Sequence, residues 1–131
     1  MADALHAVAG SPRLILRIEG AALFIAALYA YRLTGVSWWL FPVLFLVPDL
    51  SFAGYLAGPR VGAAVYNAVH STIGPIIVGV YGLAFGPTVV FAIAVIWAAH
   101  IGFDRILGYG LKYPSAFQDT HLGRIGKSPQ T

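Results

Sequence analysis

Few side chains in this sequence can do chemistry, and most of those interrupt apolar runs. His100 and Asp104 stand four residues apart in the stretch WAAHIGFDRILGYG, Trp97 to Gly110. A helix places them one above the other on a single face, with Trp97 one turn earlier. Asp49 follows Pro48 directly, and Asn67 and His70 lie three apart with Tyr66 beside them. A polar tail adds Asp119 and His121. Imidazole nitrogens and carboxylate oxygens suit Zn, Fe or Mn rather than a soft metal. A divalent ion held by His70, His100, His121, Asp49 and Asp104 can activate water for attack on an ester or phosphoester at a membrane surface. Asp104 can ligate beside His100 or orient its imidazole from outside. The candidate catalytic residues are thus His100, Asp104, Asp49 and His70, and the candidate substrate-binding residues are Asn67, Tyr66 and Arg105.

Each of these residues also has a purely structural reading. A His–Asp hydrogen bond can tie two helices together without any metal. Asp49, placed after a proline, can cap a restarted half-helix. Glu19 can pair with Arg17 or snorkel to the interface. Arg105 can anchor topology and neutralise Asp104, or bind an anionic headgroup. His121 joins a site only if the tail folds back under the helices, for which Phe117 and Leu122 are the apolar handles.

The elements that position these groups are membrane spans. The 131 residues are 59% hydrophobic and 10% charged, with mean hydropathy +0.78, where a soluble domain carries roughly a quarter charged residues. The apolar residues come in four blocks, about 14–33, 36–58, 61–85 and 87–108, each long enough to cross a hydrocarbon core ~30 Å thick. Glu19 and the lack of a small-residue cleavage site make the first block a retained helix rather than a signal peptide. Trp38 and Trp39 form an interfacial belt, and Pro42 and Pro48 predict a kinked second span. Gly58-Pro59-Arg60 and Gly86-Pro87-Thr88 are short turns, and Gly54/Gly58 and Gly82/Gly86 invite close backbone approach. Cysteine is absent, which excludes disulfides and thiolate metal sites. The scattered basic residues form no nucleic-acid patch.

These observations predict an all-α integral membrane protein, an antiparallel four-helix transmembrane bundle with a single membrane domain over 1–123 and a polar cytoplasmic tail over 112–131. Arg13, Arg17, Arg60, Arg105, Lys112, Arg124 and Lys127 fall on one side of that bundle and Arg32 alone on the other. The positive-inside rule then puts both termini in the cytoplasm, across the cell's inner membrane. At ~1.5 Å per residue, Asp49 and His70 lie at matching depth, ~15 Å in, with Asn67 at ~10 Å and His100 at ~7 Å from the same side. Ionisable groups in a bilayer cost ~2.5–3.5 kcal/mol or more each, so they converge and pair. One inward-facing polar cluster in the cytoplasmic half is the expectation.

The runs LVPDLSFAGYLAGPRVGAAVYNAVH, AHIGFDRILGYGLKY and DTHLG together resemble the domain-of-unknown-function family 4260, small bacterial membrane proteins. The resemblance spans about Glu19 to Gly123 and implies four spans, with motif residues at Asp49, Asn67, His70, His100, Asp104, Arg105 and His121; it implies no activity. Pro48-Asp49 and His70-Ser71 also resemble part of the motif set of membrane-bound metal-dependent hydrolases. Ser51 and Val65 stand where that pattern has an aspartate and a histidine.

Three function classes follow. A metal-assisted, hydrolase-like enzyme acting on a membrane-associated substrate explains the clustered carboxylates and imidazoles. A small proton-coupled transporter would use the same groups as an ion pathway, but the outer half offers nothing ionisable except Arg32. An accessory subunit of a larger membrane complex, or a homodimer, fits the apolar surface and leaves the cluster unexplained.

Overall fold

A computed structural model describes residues 7–125 of the chain; Lys127 and the end of the tail, 126–131, lie outside the described residues. Helix α1 is Gly10–Thr34, and a short α2, Leu40–Phe45, runs on into a 3-10 helix, Val47–Ala57. Helices α3, Pro59–His70, and α4, Ile73–Phe85, follow, then α5, Thr88–Leu107, and a two-residue hairpin of β1, Asp119–Thr120, and β2, Gly123–Arg124. Four stretches are long and apolar enough to span a membrane: Gly10–Thr34, Leu40–Ala57, Pro59–Phe85 and Thr88–Leu107. Large apolar side chains cover the outside, among them Leu56 at 93% and Phe85 at 77% exposure, as expected where the solvent is lipid.

Helix α5 is the axis. Half of its most apolar window is buried, against less than a quarter for each of the other three spans. Helix α1 crosses it at Gly20 and Gly102, where a Cβ on either residue would collide with the backbone of the opposite helix. Helix α4 approaches through Gly82, whose missing side chain makes room for the backbone of Phe91. Of the two glycine pairs legible in the sequence, Gly54 and Gly82 lie at close contacts while Gly58 and Gly86 have positive φ and end their helices.

Two spans are irregular, both beside prolines. Pro48 has no N–H and sits at the start of the 3-10 segment, where the chain leaves the α conformation and tightens to three residues per turn. That period sorts the segment into three rows. Pro48, Ser51 and Gly54 face inward, with Gly54 against Val65 and Gly62 of α3. Val47, Leu50 and Leu56 face outward, with Leu50 73% exposed. Asp49, Phe52 and Tyr55 form the third row, and the last two ring against Phe117 of the tail at 5.3 and 5.1 Å.

The third span, read from the sequence as one block over 61–85, is broken between His70 and Ile73. Pro75 cannot donate to the carbonyl of Ser71, and its ring excludes a continuous helix there; Ser71 is extended, with ψ 155°. Freed carbonyls in a span need partners. Trp97 Nε1 donates to Val69 O at 2.6 Å and Arg105 Nη2 to His70 O at 2.8 Å. Helix α5 thus stitches the break.

The tail docks, at least through residue 125. Leu122 is fully buried and Lys112 and Thr120 nearly so. Asn67 clasps the Lys112 backbone at both ends of its amide, accepting from Lys112 N at 2.6 Å and donating to Lys112 O at 2.8 Å. Arg13 donates to Leu122 O, and Val8 N to His121 O at 2.8 Å, so both ends of the described chain meet on one face.

Candidate metal centre

Four side chains converge where the irregular spans meet α5. Asp49 comes from the first turn of the 3-10 segment, His70 from the last residue of α3, and His100 and Asp104 from one face of α5. His70 Nε2 lies 3.2 Å from His100 Nε2, 3.5 Å from Asp49 Oδ1 and 3.6 Å from Asp104 Oδ2. His100 Nε2 lies 3.2 Å from Asp49 Oδ1 and 3.3 Å from Asp104 Oδ2. All four donor atoms fall within 4.8 Å of one another. Metal–ligand bonds of 2.0–2.2 Å in a regular tetrahedron require donor separations of about 3.3–3.6 Å. The five His-containing separations, 3.2–3.6 Å, lie close to that spacing, so this buried Asp/His/His/Asp group could hold a metal ion.

The imidazoles are oriented for it. His70 Nδ1 lies 3.0 Å from the Tyr66 carbonyl, so it carries the proton and leaves the Nε2 lone pair aimed at the group's centre. Tyr66 stacks on the same ring, centroids 3.8 Å apart and planes at 8°, while Phe45 packs edge-on against His100 at 5.4 Å. His100 Nδ1 is buried and has no hydrogen-bond partner among the described residues. Asp104 meets His100 at Nε2, the nitrogen that points inward. That contact places Asp104 beside the inward nitrogen, where it could be a fellow donor, and not at the far nitrogen from which it would orient the ring. With two neutral imidazoles the four groups carry two negative charges, which a divalent cation balances.

A cavity of about 290 Å³ opens onto the carboxylate edge. Asp49 and Asp104 line it, with Tyr66, Tyr109 and Lys112, whereas neither histidine does. Lys112 is a residue that sequence reasoning passed over except as a topology charge. Its ammonium donates to Phe117 O at 2.8 Å and sits over the rings of Phe117, Tyr66 and Phe52 at 3.4, 4.7 and 5.8 Å. Burial pulls it down to about 8, partly opposed by Asp104 and Asp49. A single lysine after a glycine-rich turn carries no sequence signal; only the docked tail brings it here.

The other sequence candidates lie around this group. Tyr66 is in the cavity wall, and Asn67 is engaged with the Lys112 backbone. Arg105 turns away from the four donors to the carbonyls of His70 and Tyr109, both at 2.8 Å. His121 is not brought into the group: its Nδ1 accepts from Leu111 N at 2.8 Å. Burial, with the Arg105 charge next, holds that imidazole below its usual value. His121, Arg105 and Glu19 instead line a separate cavity. Asp119 accepts from Ser115 Oγ at 2.8 Å within the tail.

The family described as Domain of unknown function (DUF4260) matches residues 13–125. No curated protein and no solved structure matches the chain. The chain belongs to the DUF4260 family.

Proposed function

We propose, taking membership of that family as the premise, that this is a metal-assisted hydrolase of the bacterial inner membrane, with both termini in the cytoplasm. Its substrate is a membrane-associated ester or phosphoester. One observation carries the reading: four oxygen and nitrogen donors on three separate elements lie within 4.8 Å of one another, with their carboxylate side on a cavity. A purely structural tie between helices needs one His–Asp contact, and this protein has four among two histidines and two aspartates.

In this reading His70, His100, Asp49 and Asp104 hold the ion. An ion held there would supply Lewis acidity, lowering the pKa of a water and polarising a substrate oxygen. Substrate would reach the group from the carboxylate edge, since Asp49 and Asp104 line the cavity and neither histidine does. Asp49, with its side chain 36% exposed, is the carboxylate freest to give way and to take the water's proton. Tyr66 and Lys112 face the substrate from the cavity wall. Asn67 and Arg105 act through the wall they hold together. The transport alternative needs a polar route through the opposite half of the bundle, yet between Tyr31 and Pro42 and from Ile76 to Trp97 the sequence has nothing charged except Arg32.

The test is purified protein in nanodiscs, loaded with Zn, Fe or Mn in turn and offered a panel of lipid esters and phosphoesters. Metal-dependent product release that disappears in Asp49→Asn, while the variant still folds, is the expected result. Metal-loaded protein that turns over nothing in the panel yet moves protons across liposomes would displace hydrolysis in favour of transport.

A further inference from the structure

A second space lies across the 3-10 segment from the polar cavity. A groove of about 490 Å³ runs between the 3-10 segment, α3 and α5, within the size range of small-molecule sites. Each element that supplies a donor also supplies a groove residue next to it. Pro48 and Ser51 flank Asp49, Val69 precedes His70, and Ile96 and Trp97 lie one turn before His100. The rim residues Val47, Leu50, Val65 and Ile93 are 46, 73, 39 and 39% exposed, so in a membrane the groove opens onto hydrocarbon. Ser51 is the exception in this apolar lining. Its hydroxyl is buried, and among the described residues it has no hydrogen-bond partner. A buried hydroxyl left unsatisfied costs ~1–3 kcal/mol, so it calls for a ligand atom.

We infer that the substrate is a phosphate-bearing lipid that enters sideways from the bilayer, its acyl chain lying in this groove, an ester oxygen bonded by Ser51 and its head at the four-donor group. The inference rests on the hydrolytic reading above and gives it a substrate class. The three-residue period of the 3-10 segment is what makes the arrangement possible. It sets Pro48 and Ser51 toward the groove and Asp49 and Phe52 toward the polar cavity, so a lipid whose tail lies in the groove reaches the four donors by bringing its head around this one strip of chain. Lys112, the cationic side chain in that cavity wall, faces the phosphate.

The probe is phosphatidic acid carrying a diazirine at the end of one acyl chain, incorporated into nanodiscs at a few mole per cent with the full-length protein. Photolabelling should saturate, be competed by unlabelled phosphatidic acid, and concentrate on Val65, Val69, Ile93 and Ile96. Ile93→Trp, which fills the groove, should cut it at least about fivefold. Ser51→Ala should weaken it several-fold without lowering thermal stability, since that hydroxyl bonds nothing in the protein itself. Metal content is measured on the same samples. Labelling that spreads over every lipid-facing helix, fails to saturate, or survives both variants marks ordinary boundary lipid and overturns the inference. Saturable groove labelling in protein that takes up no metal would keep lipid entry and remove hydrolysis; metal uptake without groove labelling does the reverse.

Discussion

Replacing His100 with alanine removes one corner of a donor set whose size can be checked against bond lengths. The His–His and His–Asp separations of 3.2–3.6 Å correspond to an ion about 2.0–2.2 Å from each donor. Structural zinc in zinc-finger peptides binds with roughly 10–16 kcal/mol over four donors, so on that scale one donor accounts for about 2.5–4 kcal/mol. At 1.4 kcal/mol per decade that is a loss of about two to three orders of magnitude in affinity. Detergent-purified protein should bind close to one equivalent of Zn, Fe or Mn in competition with a chelator. At a hundred times the dissociation constant the ion should stabilise the fold by about 2.7 kcal/mol, seen as a rise in unfolding temperature that His100→Ala lacks. X-ray absorption on the zinc form should show only nitrogen and oxygen neighbours, two of them imidazoles. Wild-type protein without a stoichiometric metal, or one whose metal is held equally well by His100→Ala, would refute the argument from donor spacing.

Three further outcomes follow from the packing. Asn67→Ala should free the tail by removing both bonds to the Lys112 backbone, at a cost of about 1–3 kcal/mol, and limited proteolysis should then cut between 112 and 125 faster. Burial holds Lys112 at about 8, below the unfolded value of about 10.4. The unfolded chain therefore binds more protons between those values, and stability should rise with pH across that window by up to about 3 kcal/mol. Denaturation of wild type and Lys112→Met at pH 7.5 to 10.5 checks it, and an equal slope in both would disprove it. Gly102→Val should separate α1 from α5 by driving a side chain into the Gly20 and Phe24 backbone; size-exclusion chromatography in detergent should then show loss of the folded species, whereas Gly35→Ala, at a turn with open space around it, should cost only its backbone strain.

Much of the architecture was written in composition. Blocks of about twenty apolar residues joined by Gly-Pro turns have few solutions in lipid, because every backbone group in a span must be paired within a helix. The convergence of Asp49, His70 and His100 was legible for the same reason, since costly side chains at matched depth on neighbouring helices gain by meeting. The break after His70 was not. Pro75 marks it, but a proline in a span can kink a helix or end it, and the choice depended on whether Trp97 and Arg105 could reach the freed carbonyls. The part played by Arg105 was hidden likewise, because its sequence neighbour Asp104 looked like its partner.

The sequence alone thus determined which residues interrupt the apolar spans and that they gain by gathering. That follows from transfer free energies, which depend on residue type and depth. Tertiary structure decided which atoms face one another: the 3-10 turn that aims Asp49, the His70 tautomer set by Tyr66 O, and the docked tail that adds Lys112 and leaves His121 aside. Those choices turn on ångström-scale pairing of polar atoms between elements far apart in the chain. A pattern along the sequence specifies depth, but not that pairing.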